Sequence, residues 1–431
     1  MRYKNIDKAL FVANRERLRK ELKPNAVAVV NANDVMPTSA DGTMPFRQNS
    51  DLFYLTGVDQ EETIFVMCPD FPDKKYREVL FLRETSDLIA TWEGHKLTKE
   101  EARQLTGIDT ILWVSEFQKW FNMMMVMGDT EHVYLNTNDH YRADSVVESR
   151  EARFVKWCLE KYPVHRYERL APVMHRLRTV KSKEEIALLQ QACDITEQAF
   201  RRVLKFVKPG VMEYEIEAEY VHEFVRRGSR GFAYTPIIAS GSNSCVLHYV
   251  ENDKVCNDGD VLLLDVGAEY ANYNADLTRT IPVNGRFSKR QREVYDAVLR
   301  IKREAIKLIK PGERYFDYHK EVQKITESEL IGLKLIDKKD VKNQSKDKPL
   351  FMKYLMHGTG HQLGLDVHDV GNMYHKMQVG QVWTVEPGIY IKEEGIGVRI
   401  ENNVVIKKNG VHDLMANIPV EAEEIEDIMN N

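Results

Sequence analysis

Between residues 182 and 207 the apolar positions step by three and four: Ile186, Leu189, Cys193, Thr196, Phe200, Val203 and Val207. That spacing predicts one long amphipathic helix. Ser182 and Glu185 suit a capping box at its start, and Pro209-Gly210 stops it. About a hundred residues on, the layout returns. Ser288 and Gln291 suit a second box; Val294, Val298, Ile301, Ala305 and Leu308 make the stripe; Pro311-Gly312 ends it. After each comes a shorter predicted helix, Tyr214 to Arg227 and Phe316 to about Leu330, and later a strand pair. The second part of the chain therefore reads as two related halves.

The first part has a different rhythm. Helical stretches alternate with short apolar runs, AVAVV (26–30), TIFVM (63–67) and EVLFL (78–82). This predicts an α/β domain. The boundary is expected near residue 175, which divides the chain into 1–175 and 176–431. The first twenty residues are charged throughout and predict a surface helix, not a signal peptide.

Two strand-rich runs carry carboxylates. In VLLLDVGAEYANYNADLTRTIPV (261–283), Asp265 and Asp276 lie eleven positions apart. A hairpin with an even-numbered loop centred on Tyr270-Ala271 makes them direct cross-strand partners. In VWTVEPGIYIKEEGIGVRIENNVVI (382–406), Glu386 and Glu401 lie fifteen apart, with a turn expected near Glu393-Glu394-Gly395. Like charges placed opposite one another are destabilising, so two such hairpins call for cations between them.

Composition narrows the class. The chain of 431 residues, 43% hydrophobic and 29% charged, has material for more than one globular core. A formal charge of -5 gives no reason to expect a nucleic-acid or anionic-membrane partner. No stretch reaches the ~18 apolar residues of a membrane span. Cys68, Cys158, Cys193, Cys245 and Cys256 are scattered without a CxxC, which argues against a disulfide framework and fits a reducing cytoplasm. No HExxH or GxSxG occurs. The lysine-rich stretch 337–348, with the sequon Asn343-Gln344-Ser345, is expected to be a solvated loop.

The segment HGTGHQLGLDVHD (357–369) crowds three histidines among glycines. His361 is the expected nitrogen ligand, and the glycines would let backbone approach a site closely. With Asp265, Asp276, Glu386 and Glu401 it makes a donor set suited to a pair of hard or borderline divalent ions.

Together NSCVLHY, LLLDVGAEYANYNADLTRT, LMHGTGHQLGLDVHDVG, VEPGIYI and GIGVRIENNVVI resemble the pita-bread metallopeptidases. Within them the likeness is to aminopeptidase P, to which FRQNSDLFYLTG (46–57) also points. The resemblance implies an N-terminal α/β domain, concerned with oligomerisation and substrate length, and a catalytic domain of two halves related by pseudo-two-fold symmetry. It implies two divalent ions, usually manganese, held by Asp265, Asp276, His361, Glu386 and Glu401. Glu386 would move the proton, His368 would bind the scissile carbonyl oxygen, and His248 would contact substrate near the leaving side. His357 would line the pocket for the residue on the amine side of proline. Arg399, two positions before Glu401, shares its face and can hydrogen-bond ligating carboxylates. The implied activity is removal of an N-terminal residue from peptides with proline second, by a homodimer or homotetramer. The alternatives are a prolidase, which cuts only Xaa-Pro dipeptides, and a non-catalytic pita-bread binding module.

Overall fold

The computed structural model describes residues 2–127, 129–143, 146–345 and 347–431. Two compact units divide the chain, Lys4–Arg178 and Thr179–Asn431, the second including the N-terminal residues through Tyr3.

The first unit is built on a six-stranded mixed sheet in the order Thr110–Trp113, Glu78–Leu82, Ile64–Met67, Ala26–Asn31, His132–Leu135, Arg166–Arg169. The three apolar runs predicted as strands are its central members, and they are buried almost throughout. Continuous apolar runs of this kind suit strands covered on both faces. The helix Lys8–Glu21 sinks one face, with Leu10, Phe11 and Leu18 buried. Arg15 lies on that face and donates to Leu55 O, Thr106 O and Glu78.

FRQNSDLFYLTG forms the buried helix Ser50–Thr56, capped by the Asn49 side chain and closed by Gly57 in the left-handed region. Asp51 pairs with Arg178 at 2.8 Å and accepts from Asn136 Nδ2 at 2.9 Å. Nearby, Glu151 accepts from the backbone and side-chain nitrogens of Asn31. Burial pushes the Glu151 carboxyl up from 4.5 to about 8, against the pull of those two bonds. A folded-state pKa raised this way contributes stability that is present below 4.5 and is lost as pH rises toward about 8. Glu151→Gln cannot ionise, so its melting temperature should gain on the parent steadily across that window in thermal scans of the full chain. A constant difference across pH would contradict the burial argument.

The second unit carries the repeat. Helices Lys183–Phe206 and Lys289–Leu308 both open with complete capping boxes, Ser182 with Glu185 and Ser288 with Gln291. The shorter helices are Glu213–Arg226 and Tyr315–Gly332. Each half then supplies a three-stranded sheet: Leu277–Pro282, Val261–Val266, Ile237–Ser240 in one, and Val382–Val385, Asn402–Ile406, Val411–Asp413 in the other.

The first hairpin differs from expectation by one residue at its tip. Its turn residues are Ala271 and Asn272, with φ of 53° and 67°. Two successive positive-φ residues match the right-handed twist of the flanking strands. Asp265 consequently faces Thr278, and Asp276 sits diagonal to it. A shift of two positions preserves parity, so both carboxylates keep one face. In the second hairpin Val385 faces Asn402 and Gly388 faces Arg399, and the same register sets Glu386 opposite Glu401. The stretch 337–348 is more ordered than expected: Lys338–Asn343 is a short, largely exposed helix, with Gln344 holding Glu327 at 2.7 Å.

Candidate metal centre

The two hairpins meet where their carboxylates lie. Glu401 N–H donates to Thr278 O at 3.0 Å, and Arg399 N–H donates to Thr280 Oγ1 at 3.2 Å. The two halves are thus joined by backbone at the positions that aim Asp265 and Glu401. Asn403 extends this clamp, accepting from Asp276 N–H at 3.0 Å and donating to Asp276 O at 2.6 Å. Asn402 points elsewhere, toward Arg279 and Asp413.

The segment 357–369 packs on the second hairpin. Thr384 N–H donates to His361 O at 2.8 Å, and Glu386 N–H to Thr359 O at 3.2 Å. A Cβ on Gly360 would stand 2.4 Å from Thr384 O, and one on Gly358 would stand 2.5 Å from the Tyr315 hydroxyl. The approach to Thr384 backbone demands glycine at 360, whereas a side chain at 358 would have to displace the Tyr315 ring.

Asp276, His361 and Glu401 each bring one ligand atom into a group within 4.8 Å of one another. His361 Nδ1 lies 3.0 Å from Gln362 O, which fixes its hydrogen there and turns the Nε2 lone pair inward. That nitrogen is 3.4 Å from Asp276 Oδ2 and 3.7 Å from Glu386 Oε1. Asp265 joins the group through Tyr234, whose hydroxyl is 2.6 Å from Oδ1 of both Asp265 and Asp276. One hydroxyl proton cannot serve two carboxylates at once. All five expected ligands therefore converge.

Electrostatics point the same way. Burial, reinforced by mutual repulsion, pushes the carboxyls of Glu401 and Asp265 above the usual range, although Arg399 opposes it at Asp265. Burial takes Glu386 up to about 7. His361 is raised as well: burial alone would lower it, and Asp276 with Glu386 outweighs that. Glu401 Oε2 accepts from Thr278 Oγ1 at 2.7 Å, but its buried Oε1 meets no hydrogen-bond donor among the described residues. An orphaned buried carboxylate oxygen is costly, and a divalent cation would satisfy it. The donor set, four carboxylates and one imidazole, fits such an ion.

Around this group stand the remaining predicted residues. Arg399 donates to Asp265 Oδ2 at 2.6 Å and to the Tyr390 hydroxyl at 2.8 Å. His357 Nε2 is 2.8 Å from that hydroxyl, and its Nδ1 is 3.9 Å from Glu386. Burial, with the nearby charge of Arg399, lowers the His357 pKa to about 4, so this imidazole is neutral at pH 7. His368 is exposed and sets its ring perpendicular to that of His361, 4.5 Å between centroids. His248 is exposed on a loop held by Glu213, which accepts from Ser240 N, Tyr249 Oη and Lys254 N. Sequence reasoning missed Tyr234, Tyr390, Thr278 and the clamp role of Asn403. Each lies in a run whose apolar pattern announces only a strand or a turn.

Against known proteins, the model of metallopeptidase family M24 matches residues 187–408. The chain belongs to metallopeptidase family M24. The aminopeptidase P N-terminal domain model matches residues 11–134. The chain is 36% identical to the Xaa-Pro aminopeptidase of Escherichia coli (strain K12), over 98% of both chains. It is 34% identical to Xaa-Pro aminopeptidase 3 of Homo sapiens, over 93% of this chain and 80% of that one. Aminopeptidase P from E. coli, solved with the inhibitor Pro-Leu, superposes with a TM-score of 0.88 at 34% identity over 99% of each chain. The repeat in the second unit is accordingly the pita-bread fold of this family, preceded by an aminopeptidase P N-terminal domain.

Proposed function

We propose that this M24 enzyme hydrolyses the N-terminal Xaa-Pro bond and releases the first residue of peptides with proline in second position. The reading is carried by one observation: Asp265, Asp276, His361, Glu386 and Glu401 converge in an M24 domain that follows an aminopeptidase P N-terminal domain, in a chain similar over its length to aminopeptidase P. The five residues would hold two divalent ions, for which we propose Mn2+. When bound, these ions supply Lewis acidity that activates water and polarises the scissile carbonyl.

The chain's own groups do the rest. His368 donates to the carbonyl oxygen as it gains charge. Glu386, beside His361 at 3.7 Å, takes the proton from the attacking water and delivers it to the departing proline nitrogen. His357 lines the pocket for the first residue and is kept neutral, so it adds no charge where a peptide must enter. His248 contacts the leaving side. Arg399 neutralises part of the carboxylate charge and holds Asp265 in place.

The proposal extends to a homodimer or homotetramer, in which the N-terminal unit limits substrate length. It also extends to a cytoplasmic location, supported by five buried free cysteines. No helix among the described residues is long and apolar enough to cross a membrane.

A mass-spectrometric time course on manganese-loaded protein, given Xaa-Pro-Xaa tripeptide and Xaa-Pro dipeptide together, tests the activity. Loss of the first residue from the tripeptide, with the dipeptide surviving, is the expected result. Preferential cleavage of the dipeptide would move the assignment to a prolidase, and no cleavage of either would leave a binding module.

A further inference from the structure

The helix Tyr315–Gly332 opens on three rings, and all three converge on the two residues that follow His357. The Tyr315 hydroxyl occupies the space a Gly358 side chain would need. Tyr318 donates its hydroxyl to Thr359 O at 3.1 Å. His319 Nδ1 lies 3.0 Å from Thr359 Oγ1, and its Nε2 lies 2.8 Å from Gln323 Nε2. An amide nitrogen only donates, so His319 Nε2 accepts and Nδ1 carries the hydrogen that goes to Thr359. The ring is held flat against Tyr315, 5.7 Å between centroids at an interplanar angle of 6°. Tyr315 in turn stacks on Trp383, the strand residue beside Thr384.

Thr359 is fully buried. Its carbonyl also takes the Glu386 N–H, and its neighbours two positions away on either side are His357 and His361. A rotation of this one residue would swing both imidazoles and the backbone that carries Glu386.

We propose that His319 is a positioning residue of the metal centre: through its bond to Thr359 it fixes the segment that aims His357 and His361. The inference rests on His361 being a metal ligand. Outer groups that orient metal ligands are commonly worth about 10–100-fold in metal affinity or activity.

The test uses the full chain as His319→Phe, Thr359→Val, the double variant and His319→Asn. Each is loaded with Mn2+ and challenged with graded chelator, and retained metal is read by mass spectrometry beside kcat and KM. Phe keeps the stack on Tyr315 and removes both nitrogens; Asn can place an amide donor where Nδ1 stood. Metal affinity is expected to fall about tenfold in His319→Phe and in Thr359→Val. The double variant should be no worse than either, because both break the same link. His319→Asn should recover most of the loss.

Unchanged metal retention in the singles, or additive losses in the double, would overturn the inference. Lowered melting temperature with no coupling and no recovery by Asn would assign His319 to packing alone. If His319→Phe does not fold, Thr359→Val decides in its place. Full retention in that variant overturns the link, and a tenfold loss that His319→Asn does not deepen supports it. Wild-type protein that held no metal would overturn the reading of the site together with this inference, whereas failed coupling overturns the inference alone.

Discussion

Glu386→Gln, assayed with enough Mn2+ to keep the site loaded, is expected to lose at least about a thousandfold in kcat, within the ~10²–10⁴ span of general acid–base catalysis. Gln matches Glu in shape, so the hairpin and the pairing opposite Glu401 should survive. What it lacks is a proton to exchange. Burial takes the Glu386 carboxyl up to about 7 in the metal-free site, and a bound cation would pull it back down. It is half-buried, within 4 Å of both His361 and His357. Metal content and kcat must be read on the same sample, because Glu386 is also a proposed ligand. Full metal occupancy with activity within tenfold of the parent would remove Glu386 from proton transfer.

Chelation should abolish turnover, and it should also make stability depend on pH in a defined direction. Glu386, Asp265 and Glu401 have carboxyls raised in the folded state. Groups raised in this way contribute stability that is whole below their unfolded values and lost as pH rises through the folded ones. His361, also raised, adds the same sign. For Glu386 the window runs from 4.5 to about 7. Chelated protein should therefore melt at falling temperature across that window. Added Mn2+ binds the ionised carboxylates, so its stabilising effect should be small near the bottom of the window and largest above it. With free metal a thousandfold above its dissociation constant, the gain is about 4 kcal/mol. Calorimetry of chelated and Mn2+-loaded protein across pH measures this directly. A metal-induced gain that did not grow with pH would count against these carboxylates as ligands.

Much of the architecture is legible in particular residues. Ser182 with Glu185 and Ser288 with Gln291 announce the two long helices, because a capping box satisfies helix-end donors locally. The odd spacing of Asp265 and Asp276, and of Glu386 and Glu401, permits each pair to share one face in a hairpin with an even-numbered loop, and both hairpins have one. The register inside that parity is less accessible. Spacing admits several turns, and the positive-φ pair Ala271-Asn272 selects the one that sets Asp265 opposite Thr278. The stretch 337–348 misled for a related reason: its charge predicts solvation, yet a short exposed helix is equally solvated.

By itself, then, the sequence determined which groups could ionise and coordinate, which face of a strand each occupied, and that two halves repeat one plan. Those properties are local, set by side-chain chemistry and backbone period. Tertiary structure alone decided that Tyr234 spans Asp265 and Asp276, that Asn403 clamps the Asp276 backbone, and that His319 reaches Thr359. These partners lie 31 to 127 residues apart, and no periodicity links them. Their meeting follows from packing two hairpins and a helix around a cluster of buried charge, where an unpaired polar group is too costly to leave without a partner.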